Sequence, residues 1–172
     1  MLADSYIVPQ CVFGPGSFGG LMALYESNYL RLMHLLGSTK LSDARVFNSC
    51  SADDENLFLT VESATRYTQV LRLTYRFDEP DGCLADPDLC VRVYLDARMT
   101  EVVSWAKHHR HPVLRGLHSR LSRPVSQCWR RNMVLGKWLE FLLEKGHSFK
   151  DSEMEPGSSG SGTAFFGVPD TV

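Results

Sequence analysis

Apolar residues recur at three- and four-residue steps after Ser17. Leu21, Leu24, Tyr25, Leu32, Leu35 and Leu36, with Asn28 on the same stripe, predict an amphipathic helix over 17–36. Ser17 starts the pattern and Gly37 supplies its stop. Residues 38–56 are polar and acidic, with Asp53, Asp54 and Glu55 in a row. They predict a loop holding one irregular strand near Arg45–Ser49.

The period then changes to two. A run beginning at Leu57 ends in Thr60, Glu62 and Ser63. Across Arg66–Phe77, Tyr67, Leu71, Leu73, Tyr75 and Phe77 fall on one side, and Arg66, Thr68, Arg72, Thr74 and Arg76 mostly on the other. That is a half-buried strand. Glu79-Pro80-Asp81-Gly82 is turn chemistry. In Leu89–Asp96, Leu89, Val91, Val93 and Leu95 read as inward and Arg92, Tyr94 and Asp96 as outward; Thr100–Ala106 is a further strand.

Short links favour an antiparallel meander, because parallel neighbours need a crossover of about a dozen residues or more. A second helix after Pro124, with Val125, Cys128, Trp129, Met133, Trp138, Leu139 and Leu142 on its apolar stripe, runs to a stop at Gly146. Burying one large side chain contributes ~1.5–3 kcal/mol, so Trp129 and Trp138 are expected to be costly to truncate. The predicted fold class is α+β, a four- to five-stranded antiparallel sheet with N- and C-terminal helices packed on one face. Residues 1–16 read as a flexible N-terminal arm, 17–150 as a single domain, and the Gly/Ser-rich 151–172 as a disordered tail.

Composition narrows the function classes. With 172 residues, 44% hydrophobic and 22% charged, the chain is neither fibrous nor wholly disordered. Its net charge of -2 excludes a uniformly basic nucleic-acid coat. No apolar run approaches the ~18 residues of a membrane span, and Met1-Leu2-Ala3-Asp4 lacks the basic start of a signal peptide. Five scattered cysteines, Cys11, Cys50, Cys83, Cys90 and Cys128, form no C-x-x-C pair and predict reduced thiols in the cytoplasm. Cys83 and Cys90 flank a predicted turn and could meet across a hairpin, although free cysteine is usually a small hydrophobe.

Four groups of residues resemble a known family. They are Glu26-x-Asn28-Tyr29-x-x-Leu32-x-x-Leu35-Leu36, Val61-Glu62-Ser63-Ala64-Thr65-Arg66-Tyr67-Thr68, Val91-Arg92-x-Tyr94-x-Asp96-Ala97-x-x-x-Glu101-Val102, and Asn132-x-x-Leu135-x-x-Trp138-Leu139-x-x-Leu142-x-x-x-Gly146. In order and spacing they are similar to the YqiB-like family of small bacterial proteins carrying a domain of unknown function. The resemblance covers about residues 21–147 and breaks at 107–127. It implies a cytosolic bacterial protein of unassigned activity and brings no catalytic residues with it.

The candidate chemistries start with Gly14-x-Gly16-x-x-Gly19, formally a dinucleotide fingerprint. Pro9 and Pro15 interrupt its setting, and the helix leads into a meander, so no cofactor is assigned. His108-His109-Arg110-His111 lies in a basic stretch without an acidic neighbour, and no metal is assigned there either. From 102 to 139 there are eight Lys/Arg and no Asp/Glu, leaving ten basic and twenty acidic residues elsewhere. Arg110, Arg115, Arg120 and Arg123 precede the second helix, and Arg130, Arg131 and Lys137 lie on it. Such a cluster suits an anionic partner, with nucleic acid possible but not favoured. A solvated face that balances the acidic loops is the simpler explanation.

Glu62, Arg66, Arg92, Tyr94, Asp96 and Glu101 would share the outward sheet face. There an arginine pair could hold a carboxylate or phosphate while Glu62 or Asp96 acts as base. A ladder of ion pairs, worth ~0.2–1 kcal/mol each, is the plainer reading. No nucleophile elbow and no phosphate-binding loop of the Walker type occur. The expectation is a non-catalytic cytosolic binding or regulatory module that meets an anionic small molecule or protein partner. The alternative is a small enzyme acting on a phosphorylated or carboxylated metabolite.

Overall fold

The computed structural model describes residues 16–41, 45–79, 82–105 and 124–150. The predicted arm up to residue 15, the His108–His111 run with Arg110, Arg115, Arg120 and Arg123, and the predicted tail at 151–172 lie outside the described residues.

Helix α1 spans Phe18–Leu36, and the Gly20 N–H donates to the Ser17 hydroxyl at 3.1 Å, which caps its start. Five antiparallel strands follow in the order of the chain: β1 (Val46–Ser51), β2 (Asp54–Ala64), β3 (Thr68–Glu79), β4 (Gly82–Tyr94) and β5 (Met99–Trp105). Helix α2, Pro124–Glu144, closes the order. The meander and both helices stand where the hydrophobic pattern put them. An all-antiparallel sheet has no βαβ unit; Gly16 precedes α1 and Gly19 lies in its first turn.

Three local expectations change. Tyr67, predicted inward, is 53% exposed, because it lies in the tight β2–β3 turn that the Thr65 N–H closes on the Thr68 carbonyl. β4 begins at Gly82, well before the alternation becomes visible at Leu89. Its early half pairs with β3 beyond Tyr75, past the Leu57 partner in β2, and the ladder shifts between Thr74 and Arg76, leaving Asp86 and Pro87 without partners and interrupting the period of two. Cys83 and Cys90 therefore stand on one strand, roughly 23 Å apart at the usual rise, and cannot bridge a hairpin.

One face of the sheet is closed. Leu57, Leu59, Val61, Leu71, Leu73, Leu89, Val91, Val93 and Val102 pack against Leu32, Leu35 and Leu36 of α1 and Leu135, Leu139 and Leu142 of α2. Trp138 is only partly buried and meets Tyr75 edge-on at 5.8 Å. The largest fully buried side chain is Phe149, beyond the helix. Gly146, at φ +79°, ends α2, with the His147 N–H donating to the Leu142 carbonyl. The chain then folds back, and Phe149 is held from both sides. Its N–H donates to the Leu35 carbonyl at 2.9 Å, and its carbonyl accepts from the Thr39 hydroxyl at 2.6 Å.

A polar junction joins the helices to the sheet edge. Asn132 accepts the Val102 N–H at 3.0 Å, donates to the Cys128 carbonyl at 2.9 Å, and through its own carbonyl accepts from the Asn28 side chain at 3.0 Å. Gly136 lies against this knot, where an added Cβ would stand 2.8 Å from Asn28 Oδ1. Asn28 is fully buried and already bonded, so it has little room to move.

Phe149→Ala should cost about 3–5 kcal/mol in urea unfolding, the usual loss for a buried aromatic ring. Gly136→Ala gains about 1 kcal/mol of helix propensity but loses more to the collision with Asn28, giving a net loss of about 1–2 kcal/mol in the same measurement.

Candidate functional site

Register brings the outward side chains together. Arg72 pairs with Cys90 and Cys90 with Ser104; Val70 pairs with Arg92 and Arg92 with Glu101. Glu62 sits at the irregular step of β2 between Val61 and Ser63. Two polar clusters result.

In the first, Arg72 lies between two acids. Its Nε and Nη2 reach Glu62 Oε1 at 2.7 and 2.6 Å, and its Nη1 reaches Asp88 Oδ2 at 2.8 Å. Burial opposes the arginine's charge, but Glu62 and Asp88 outweigh it and raise its pKa. The remaining Glu62 oxygen accepts from Cys90 Sγ at 3.5 Å. Burial first, and then Glu62, push the Cys90 thiol up, away from the nucleophilic thiolate.

In the second cluster, both oxygens of Glu101 are loaded. Oε1 accepts from the Tyr94 hydroxyl at 2.7 Å, and Oε2 accepts from the Tyr25 hydroxyl of α1 at 3.2 Å. The hydrogen bond to Glu101 and then burial raise the Tyr94 pKa; burial and then Glu101 raise that of Tyr25. Both phenols therefore remain donors. Arg92 is different. Its side chain is 41% exposed, and its guanidinium is 3.8 Å from Glu101, beyond the 2.7–2.9 Å of a charge-assisted hydrogen bond. Tyr94 beside it is the first cause of a raised Arg92 pKa. On the same face the Arg76 guanidinium lies over the Phe58 ring at 4.4 Å.

Of the predicted face residues, Glu62, Arg92, Tyr94 and Glu101 fall into these clusters. Arg66 lies in the β2–β3 turn, 5.1 Å over the Tyr67 ring, and Asp96 lies in the β4–β5 turn, where it accepts the Ala97 N–H at 2.9 Å. Arg72 and Asp88 complete the first cluster. Arg72 was legible as outward from its alternation, whereas Asp88 lies in the stretch of β4 without visible period. On α2, Arg130 is exposed and Arg131 half-buried. Among the described residues, no three His, Cys, Asp or Glu side chains are grouped to hold a metal ion.

A second network, which no pattern along the chain announces, is buried at the far end of the sheet. Ser49 Oγ is 3.2 Å from His147 Nδ1, and His147 Nε2 is 3.1 Å from Asp54 Oδ2, which also accepts from the Tyr75 hydroxyl at 2.6 Å. These residue types also make nucleophilic triads, but Ser49 is 3% and His147 2% exposed, and Ser49 Oγ already accepts the Ser148 N–H at 3.0 Å. With Ser49 at Nδ1 and Asp54 at Nε2, both ring nitrogens of His147 have partners, which makes this network a structural tie between β1, β2 and the segment after α2. His147 lies 98 residues from Ser49 and 93 from Asp54, and Asp54 belongs to a run that reads as a solvated loop.

For Asp54, burial works against the charge. The Tyr75 hydroxyl, the Glu55 N–H and His147 more than offset it and lower the carboxyl pKa below its ordinary value. A lowered folded pKa contributes stability above the unfolded pKa that disappears as the pH falls through the folded one. The stability gap between the native chain and Asp54→Asn should be full at pH 7 and close progressively below about pH 4, measured by urea unfolding across pH.

No described helix is long and apolar enough to cross a membrane. A family model described as a protein of unknown function (DUF1249) matches residues 31–148, from the middle of α1 to the segment after α2. No curated protein and no solved structure matches the chain.

Proposed function

The chain belongs to the DUF1249 family of proteins of unknown function, and on that premise we propose a non-catalytic binding module whose outward sheet face receives an anionic small molecule or protein partner. The observation that carries this reading is the half-exposed Arg92 guanidinium. It stands 3.8 Å from Glu101 on the face opposite the helices, with donors left to give an incoming carboxylate or phosphate.

The carboxylates that could act as bases support the same side. Glu62 is taken by Arg72 and Cys90, and Glu101 by Tyr94 and Tyr25, so neither offers an uncommitted oxygen for proton abstraction. Arg72 is likewise held between Glu62 and Asp88, which leaves Arg92 and Arg76 as the receiving cations. The motif order shared with YqiB-like proteins supports a cytoplasmic bacterial setting. The basic segment preceding α2 would extend the contact surface.

Titration with inorganic polyphosphate at low salt is the direct test. The native chain should gain thermal stability and shift the amide resonances of β4 and β5, and Arg92→Gln should weaken binding about tenfold, in keeping with loss of a charge-assisted contact. Salt should weaken the native complex. Unchanged melting and unchanged spectra with excess polyanion would refute the reading.

A further inference from the structure

We propose that two copies of this chain associate through the outward surface of α2, laid antiparallel across a two-fold axis near the middle of the helix. The surface is the layer opposite the anion-receiving sheet face, so the two readings stand or fall separately.

Arg130, Lys137, Phe141 and Glu144 are exposed, and their spacings of seven, four and three residues place them on one stripe of the helix, with half-buried Val134 and Met133 beside it. Phe141, 40% exposed, lies in the C-terminal half, with the Lys145 ammonium beyond the helix end 5.7 Å from the centre of its ring. Charge along the stripe is segregated. Arg130 stands in the N-terminal half and Glu140 and Glu144 in the C-terminal half, and Lys137 is bound to Glu140 at 3.0 Å.

This distribution runs against the field of the helix itself. The first turn of α2 carries no acid and its last turn no base, and Glu144 sits at the negative end of the helix dipole. A helix on its own gains nothing from that order. A second α2 running the opposite way reverses it.

Arg130 and Glu144 lie seven residues either side of Lys137. An axis near Lys137 sets Arg130 of each copy against Glu144 of the other, and Met133 against Phe141. Lys137 near the axis is already neutralised by Glu140. The surface beside α2 accommodates the incoming side chain. An open hollow of about 420 Å³ between α1 and α2 is lined by Leu30, His34, Glu140, Leu143 and Glu144, together with Arg31, which donates to the Ser27 hydroxyl. The aliphatic stem of Arg130 from the second copy would lie along Leu30 and Leu143, with its guanidinium at Glu144 on the outer side of the hollow. Leu30, 68% exposed in one copy, would be covered in the pair. At a net charge of -2, two copies meet little overall repulsion.

A charge-swap experiment on the full chain tests the pairing. Sedimentation equilibrium at low salt, over roughly 1–500 µM, should show a concentration-dependent dimer. Arg130→Glu and Glu144→Arg, each confirmed as folded by circular dichroism, should each weaken dimerisation about tenfold or more, because each places like charges together twice across the axis. The double variant should return to within about threefold of the native dissociation constant, as a double-mutant cycle requires of a direct pair. A native chain monomeric throughout, a dimer indifferent to either single swap, or a double variant that fails to recover would each overturn the proposal.

Discussion

A meander with one apolar face must be covered on that face and blocked at its open edge. Asn132 helps to do both. Its side chain accepts the Val102 N–H, which points out of the sheet at β5, and its carbonyl receives Asn28 of α1. One residue of α2 thus satisfies an edge donor and fixes α1 beside it. The leucines of both helices then fall over the inward sides of β2, β3 and β4. Gly136 belongs to the same constraint, since the close approach at Asn28 leaves no space for a side chain.

The pattern of the chain discloses what depends on a buried face. Leu71, Leu73 and Tyr75, then Leu89, Val91 and Val93, alternate because the helices lie beneath them, and that periodicity is visible without coordinates. Where the ladder breaks, the pattern is silent. The start of β4 shows no alternation because its pairing with β3 shifts between Thr74 and Arg76 and passes over Asp86 and Pro87. Phe149 is silent for another reason: a lone aromatic after a helix stop has no period, and its burial depends on Leu35 and Thr39, more than a hundred residues earlier.

The candidate site was legible to a similar extent. Alternation put Arg92, Tyr94 and Glu101 on one face, but it could not say which acids would neutralise which arginines. The irregular step in β2 directs Glu62 to Arg72, and that pairing depends on register rather than on residue type. Arg66 and Asp96 carry suitable chemistry in positions that the turns remove from the face. Ion pairs on a half-exposed face add little stability on their own. Arg72 is therefore better understood as fixing the local charge pattern than as holding the sheet together.

Glu101 has a place of its own in this architecture. Its two oxygens are divided between a phenol on the open side of the sheet and a phenol of the helical layer beneath. Replacing it would strand two hydroxyl donors on opposite sides of β5 and remove the countercharge of Arg92 in the same stroke. The residue acts as a rivet through the edge, and no genetic change there can report on one side of the molecule alone.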